Sequence, residues 1–154
     1  MKQFEAHVAW ERGAQPFADQ RYSRAHLWHF DGGLQVPASS SPLSVPLPMS
    51  DPAAVDPEEA LVAALSSCHM LFLLSIAAQR GFVIDHYHDH PVGTLARGAD
   101  GRLSMTVVRL RPAIAFSGDR LPTPAERAAM HDAAHAQCYI ANSIKADVLI
   151  EEVV

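Results

Sequence analysis

Two cysteines, Cys68 and Cys138, are the residues of this 154-residue sequence whose chemistry could define a function. A thiol reacts as its thiolate, and a thiolate that attacks a peroxide oxygen becomes a sulfenic acid. A second thiol can condense with that sulfenic acid to form a disulfide, which a reductant then reopens. The ordinary alternative is that both cysteines are small, buried and unreactive side chains, because two cysteines far apart in sequence do not make a disulfide scaffold.

Peroxide chemistry at Cys68 would need a nearby cation to lower the pKa of the thiol, and a carboxylate to hold that cation. Arg21 and Arg24, in a segment predicted to be a strand, are the candidate cations, and Glu58 is the candidate carboxylate. Helical rise places Glu58 about 15 Å along the helix axis from Cys68, so the two cannot touch within one straight helix. An arginine side chain must bridge them, or the partner of Cys68 comes from elsewhere.

A rival enzyme class follows from His131 and His135, which are four residues apart on a predicted helix, with Cys138 three residues further on. This is the spacing of metal ligands, with Asp132 where a zinc protease carries its general-base glutamate, and it would indicate a metal-dependent hydrolase. The ordinary interpretation places His131 on the solvated side of an amphipathic helix and packs His135 near the thiol site.

Other histidines have structural explanations that we favour. His86, His88 and His90 alternate in a strand-like run, which predicts an exposed strand face rather than a metal site. His69 directly follows Cys68, but adjacent helical positions diverge by about 100°, so His69 is expected to fill space rather than to tune the thiolate.

A non-enzymatic function is a further alternative. The fold could be a small-ligand binding module at a dimer interface, with both cysteines unreactive. An apolar pocket of this kind would fit a bulky organic hydroperoxide better than hydrogen peroxide if the protein is a peroxidase. The candidate lining residues are large and apolar, although each is also an ordinary core residue: Trp28, Met70, Phe72 and Phe116.

Cys68 must be positioned by a long apolar helix predicted over residues 56–80. Asp56 can cap the helix, Pro57 suits its first position, and Gly81 is a stop signal. About 18 apolar residues can cross a membrane. This run contains serines, a cysteine and a histidine, however, and no second such segment exists, so we predict the central helix of a soluble protein.

The elements around this helix are predicted to be mostly strands. Ahead of the helix, strands are expected at 2–12, 22–30 and 34–36, followed by a proline-rich connector without regular structure at 37–57. After it, strands are expected at 82–87, 94–96 and 103–110, with 112–117 continuing the sheet of 103–110.

The second cysteine lies in a second predicted helix, which follows a capping box of Thr123 and Glu126 and runs to about Ser143, five residues beyond Cys138. A final strand is predicted at 147–153. The order of elements indicates a single α+β domain over residues 1–154, with two helices on a largely antiparallel sheet.

Composition excludes several classes of protein. Apolar residues at 49% and charged residues at 19% describe a globular chain. A formal net charge of −5, without a run of lysine and arginine, argues against a nucleic acid partner. The first residues lack the apolar core of a signal peptide, so a cytoplasmic location is expected.

The contexts of both cysteines resemble motifs of the OsmC/Ohr family of thiol peroxidases. Asp-Pro-Glu-Glu at 56–59 and Ser-Ser-Cys-His at 66–69 are similar to the family's central-helix motif. Residues 134–138, followed by 140–144, are similar to its second-cysteine motif. Residues 24–33 and 39–42 resemble the N-terminal sheet of one OsmC-like branch, so the resemblance covers nearly the whole chain in the right order.

The resemblance implies an intertwined homodimer with active sites at the interface. It implies cofactor-free and metal-free reduction of peroxides, organic hydroperoxides above all. Cys68 would be the peroxidatic thiol, Cys138 the resolving thiol, and Glu58 the carboxylate that holds an arginine. Arg24 has the firmer local context for that arginine, and Arg21 is the alternative. In the Ohr branch the reductant is a lipoylated protein.

Two departures from the family pattern bear on the substrate and the reductant. Tyr139 follows Cys138, where the better-known members carry proline, and His69-Met70 follows Cys68. The roles of His69, His135 and Tyr139 are open at this point.

Overall fold

The computed structural model describes residues 1–153 and divides them between two compact units, residues 1–60 and residues 61–153. The elements in chain order are β1 (Ala6–Ala9), β2 (His26–Phe30), β3 (Gln35–Ala38), α1 (Pro57–Gln79), β4 (Val83–His88), β5 (Val92–Arg97), β6 (Leu103–Leu110), β7 (Ala113–Ser117), α2 (Pro124–Gln137), a 3₁₀ turn (Ala141–Ser143) and β8 (Asp147–Ile150).

The first unit is built on an antiparallel sheet in the order β1-β2-β3. The predicted turn at 31–33 joins β2 to β3, and Gly33 has the positive φ of 84° that favours glycine there. The proline-rich connector lacks regular structure beyond Ala38, as predicted. A single bridge from Ala38 to Val55 returns it to the sheet before α1 begins.

The second unit contains two sheets, one in the order β5-β6-β8 and one of β4 and β7. The predicted continuation of the β6 sheet by residues 112–117 is wrong, because β7 pairs antiparallel with β4. The physical reason is that β6 has no free edge: β5 pairs with one side and β8 pairs parallel with the other. The sheets are therefore largely, not wholly, antiparallel.

Helix α1 has the predicted ends. Asp56 Oδ1 accepts a hydrogen bond of 2.8 Å from the backbone N–H of Glu59, and Gly81 has a φ of 78° just beyond the last turn. The helix is long and apolar enough to cross a membrane by length and composition. One side of the helix packs into two buried clusters of the second unit, one around Leu73 and Ile76 and one around Leu65. Only about a third of its apolar stretch is buried, so the expectation of a helix buried as a core element is met in part.

Helix α2 begins as predicted and ends earlier. Thr123 and Glu126 form the reciprocal capping box. The helix stops at Gln137 because Cys138 takes an extended backbone conformation, with φ −65° and ψ 112°. The prediction that it continues to Ser143 is therefore wrong, and Cys138 is the residue that ends the helix.

The absence of a side chain at Gly93 allows β5 to lie close to α1. A Cβ atom at Gly93 would lie 2.6 Å from Val62 Cγ2 on α1 and 2.6 Å from Met105 Sδ on β6. Val62 is β-branched and stiff, so the Gly93→Ala variant must push the strand from the helix. We expect its free energy of unfolding, measured by urea denaturation, to fall by about 1–3 kcal/mol.

The matched control for this prediction is Gly32→Ala, since a Cβ at Gly32 meets no atom within 4 Å. We expect that control to change the free energy of unfolding by less than about 0.5 kcal/mol. Equal effects of the two variants would show that the approach of β5 to α1 is not tight.

Candidate functional site

The structure brings the two predicted thiols together. Cys68 lies in the middle of α1, Cys138 ends α2, and the two thiols are hydrogen-bonding neighbours. Both pack against the same buried cluster, which is formed by Leu65, Val108 and Leu110. Neither is in a disulfide.

The two thiols differ in their exposure to solvent. Cys138 is completely buried, whereas Cys68 is partly exposed. Burial, together with the hydrogen bond to Cys68, raises the pKa of the Cys138 thiol to about 11, although the backbone N–H of Ala141 donates to its sulfur at 3.3 Å and opposes the rise. Cys138 is therefore a neutral thiol at physiological pH, and Cys68 is the thiol that a substrate can reach.

Cys68 opens into an apolar groove of about 570 Å³. One wall is the exposed side of α1, and the other is the chain after Cys138, where the ring of Tyr139 stands edge-on to Phe72 with centroids 5.2 Å apart. Of the residues predicted to line a pocket, Phe72 does so, but Phe116 packs against Phe82 elsewhere. The lining residues are Ala64, Ser67, Cys68, Leu71, Phe72, Ser75, Tyr139 and Ile140.

Sequence reasoning did not find Leu71, Tyr139 and Ile140 as lining residues. The helical spacing of Ala64, Cys68, Leu71 and Ser75 would have indicated one face of α1 around the thiol. Residues 139 and 140 carried no such signal, because their position follows from the early end of α2.

A second polar cluster lies beside the thiols. His69 Nε2 and His131 Nδ1 are 3.0 Å apart, and the two rings are parallel within 3°. His131 is only 6% exposed, so the prediction that it lies on a solvated helix face is wrong. His69, which we expected only to fill space, is 1% exposed and bonds His131 across the two helices.

Both imidazoles are held in the neutral form. Burial, together with the nearby His131 and His135, lowers the pKa of His69 to about 4. Burial also lowers the pKa of His131, although Glu152 opposes the shift. Glu152 Oε2 lies 3.4 Å from His131 Nε2, without the alignment of a hydrogen bond.

This arrangement does not build the metal site of the rival hydrolase. One ring nitrogen of His131 faces His69 and the other faces Glu152. Arg127 donates hydrogen bonds to both carboxylate oxygens of Glu152. Across residues 1–153, no group of three histidine, cysteine, aspartate or glutamate side chains is placed to hold a metal ion. His86 and His88 stack on an exposed face of β4, while His90 lies beyond the strand.

The other predicted site residues, Arg21, Arg24 and Glu58, belong to the first unit. The Arg24 guanidinium donates to the backbone oxygens of Gln20 and Tyr22 and lies 3.7 Å from the centroid of the Tyr22 ring. Arg21 is exposed. Glu58 Oε2 is buried and has no hydrogen-bond partner in the part of the chain that the structure describes. The ion pair of Glu58 with either arginine stays a prediction.

The neutral His69 makes stability depend on pH. Its pKa is about 4 in the folded protein against 6.5 when exposed, so the unfolded chain binds more protons between these values. Stability contributed by this group is complete above pH 6.5 and is lost as the pH falls toward 4. We expect the free energy of unfolding, measured by urea denaturation, to fall more steeply over this range in wild type than in His69→Gln. Parallel pH curves for the two proteins would contradict the buried neutral state of His69.

Comparison with known proteins gives the family and the fold. A model of OsmC-like proteins matches residues 50–153. The solved structure of an OsmC-like protein of unknown function from Vibrio cholerae is 49% identical, covers 99% of this chain and 100% of that chain, and has a TM-score of 0.97. No protein among those with curated descriptions matches the sequence.

Two more distant structures show the same fold. An organic hydroperoxide resistance protein OsmC from Legionella pneumophila is 15% identical, with 100% and 98% of the two chains covered and a TM-score of 0.68. The organic hydroperoxide resistance protein OhrB of Bacillus subtilis is 19% identical, with 97% and 98% covered and a TM-score of 0.66. The predicted α+β fold, with a long central helix and a second helix on largely antiparallel sheets, is confirmed. Because the family model matches most of the chain and a full-length relative is 49% identical, this protein belongs to the OsmC family.

Proposed function

We propose that the protein is a cofactor-free thiol peroxidase of the cytoplasm that reduces organic hydroperoxides. The observation that carries the proposal is the unequal pair of neighbouring thiols: Cys68 faces an apolar groove, and Cys138 is buried directly behind it. Two more distant relatives of the same fold are named organic hydroperoxide resistance proteins, which supports the choice of substrate.

The reaction would proceed in three steps. The Cys68 thiolate attacks one peroxide oxygen, the O–O bond breaks, and the other oxygen leaves as an alcohol after taking a proton. Cys138, as its thiolate, then attacks the sulfur of the Cys68 sulfenic acid, and the hydroxyl leaves as water when it takes a proton. A dithiol reductant finally supplies two electrons and two protons and regenerates both thiols.

The position of Cys138 suits a resolving thiol. Its raised pKa keeps it protonated, and hence a poor competitor for peroxide, before Cys68 is oxidised. Its hydrogen bond to Cys68 places it next to the atom that it must attack. A disulfide requires α-carbons within about 7 Å, which neighbouring thiols on two packed helices can meet.

The groove favours an organic peroxide over hydrogen peroxide. Its walls are mainly apolar, with Leu71, Phe72 and Tyr139 providing most of the large side chains. Burying apolar substrate surface there stabilises the complex by about 25 cal/mol for each Å² removed from water. Hydrogen peroxide has no such surface to bury.

The remaining parts of the proposal concern residues and partners beyond the thiol pair. We assign Arg24, with Arg21 as the alternative, to activation of Cys68, and Glu58 to holding that arginine, since the buried Glu58 Oε2 has no hydrogen-bond partner within residues 1–153. A homodimer is proposed because apolar side chains stay exposed along α1, including Leu71 at 59%. The reductant is proposed to be a dithiol, such as a lipoylated protein.

A non-catalytic binding module is the second candidate, because the same apolar groove would accept a small ligand without any reaction. Oxidation of Cys68 by a hydroperoxide separates the two functions.

The deciding experiment is intact mass and free-thiol titration before and after one equivalent of cumene hydroperoxide, with hydrogen peroxide alongside. For the wild type we expect loss of both thiols and a two-hydrogen decrease in mass. For Cys138→Ser we expect a sulfenic acid at Cys68, trapped by dimedone, and for Cys68→Ser no reaction. Thiols that stay reduced would identify a binding module, and faster reaction with hydrogen peroxide would contradict the substrate assignment.

The two arginines are separated by matched variants. We expect Arg24→Gln to slow sulfenic acid formation in the Cys138→Ser background by about 100-fold, the loss typical of removing one charge-stabilising donor. Arg21→Gln should change that rate by less than about threefold if Arg24 is the activating cation. Stopped-flow competition with a reporter substrate measures both rates. The reverse order would assign the role to Arg21, and two unchanged rates would remove both arginines from the mechanism.

A further inference from the structure

The contact between His69 and His131 is a hydrogen bond between the two thiol-bearing helices. We call these two residues the imidazole pair. His69 directly follows Cys68 on α1, and His131 precedes Cys138 by about two helical turns, or roughly 10 Å, on α2. Besides the contact between the two thiols themselves, the imidazole pair is the hydrogen bond that the described residues 1–153 show between side chains of α1 and α2, at 3.0 Å.

We propose that the imidazole pair positions the thiols for disulfide formation, by fixing α2 along α1 so that Cys138 stays within reach of Cys68. The inference rests on the proposed function, because it concerns the resolution step of that reaction. His69 and His131 are positioning residues, since neither takes part in the bonds that form or break.

Apolar packing between the helices constrains their alignment less strictly than a hydrogen bond does. The helices share a buried cluster that includes Leu73 and Ile76 from α1 and Met130 and Ala134 from α2. Such contacts are non-directional, so they define the shift of one helix along the other less sharply than a directional bond does. A hydrogen bond weakens steeply with distance and angle, so it selects one alignment. Disulfide geometry is similarly strict, and a shift of one helix would carry Cys138 out of range.

His131 is itself held from its other side. Glu152, in the segment that follows β8, lies 3.4 Å from His131 Nε2. Arg127, one turn earlier on α2, donates from its Nε to both oxygens of Glu152, at 3.0 and 3.1 Å. The His131 ring therefore lies between His69 and a carboxylate that Arg127 fixes in place.

The imidazole pair requires at least one ring to be neutral. One nitrogen donates its hydrogen and the other accepts, so protonation of both rings would place two N–H groups and two positive charges face to face. The charged and titratable groups that face the pair are His135, Asp132 and Arg127 from α2 and Glu152 from the C-terminal segment. Burial of both rings keeps them neutral at physiological pH, consistent with the lowered pKa of each.

The test compares three substitutions at one position. His131→Asn keeps a polar amide atom near the position of Nδ1. His131→Gln places its amide further from that position, and His131→Leu has no polar side-chain atom. The first measurement is the redox equilibrium of the Cys68–Cys138 disulfide with reduced and oxidised glutathione, which reports the effective concentration of one thiol at the other and involves no peroxide. The second is the rate of sulfenic acid formation at Cys68 in the Cys138→Ser background.

We expect His131→Leu to lower the effective concentration of the thiols about tenfold, the factor that corresponds to about 1.4 kcal/mol, and His131→Gln to lower it by a smaller factor. His131→Asn should stay within about threefold of wild type. Sulfenic acid formation should change by less than about twofold in all three variants, because the imidazole pair does not touch the peroxide.

The matched control is Met130→Ala, which loosens the same helix packing without touching the hydrogen bond. If Met130→Ala lowers the effective concentration as much as His131→Leu at an equal loss of thermal stability, the imidazole pair is ordinary packing and the inference is overturned. The same follows if His131→Asn behaves like His131→Leu. Should His131→Leu fail to fold, the difference between the asparagine and glutamine variants decides.

Failure of the proposed function is distinguishable from failure of this inference. Absence of any sulfenic acid at Cys68 would remove the peroxidase, while the glutathione equilibrium would still report whether His131 positions the thiols.

Discussion

The contact between Cys68 and Cys138 depends on where α2 ends. The extended backbone of Cys138 stops the helix and places the next residues beside α1, and the thiol lies in the cluster around Leu65. The same turn places Tyr139 against Phe72 and makes the second wall of the groove. One backbone transition therefore decides both the neighbour of Cys68 and the shape of the space in front of it.

Burial gives two chemically identical cysteine side chains different exposure. Cys138 has no exposed surface and a pKa raised to about 11, whereas Cys68 faces the groove. Desolvation disfavours the thiolate, so a molecule that enters the groove meets one accessible sulfur and not two. In the proposed reaction, such a protonated thiol beside Cys68 would act only after Cys68 has been oxidised.

The same physics governs the histidines behind the thiols. His69 and His131 are buried and neutral, and each uses a ring nitrogen to satisfy the other, which is how polar groups are tolerated in a protein interior. Arg127 and Glu152 extend this arrangement to the C-terminal segment. The polar cluster thus links α1, α2 and the chain after β8 beside the thiols.

The sequence by itself determined α1, its caps, the capping box of α2 and the presence of two thiols in family contexts, because these depend on local patterns of residue type. It did not determine that α2 stops at Cys138, that β7 pairs with β4, or that His131 is buried against His69. Those outcomes depend on competition between distant segments: β8 occupies the edge of β6 that β7 would have needed, and burial of His131 requires a partner from another helix. Tertiary structure alone brings together side chains that the sequence keeps 62 residues apart.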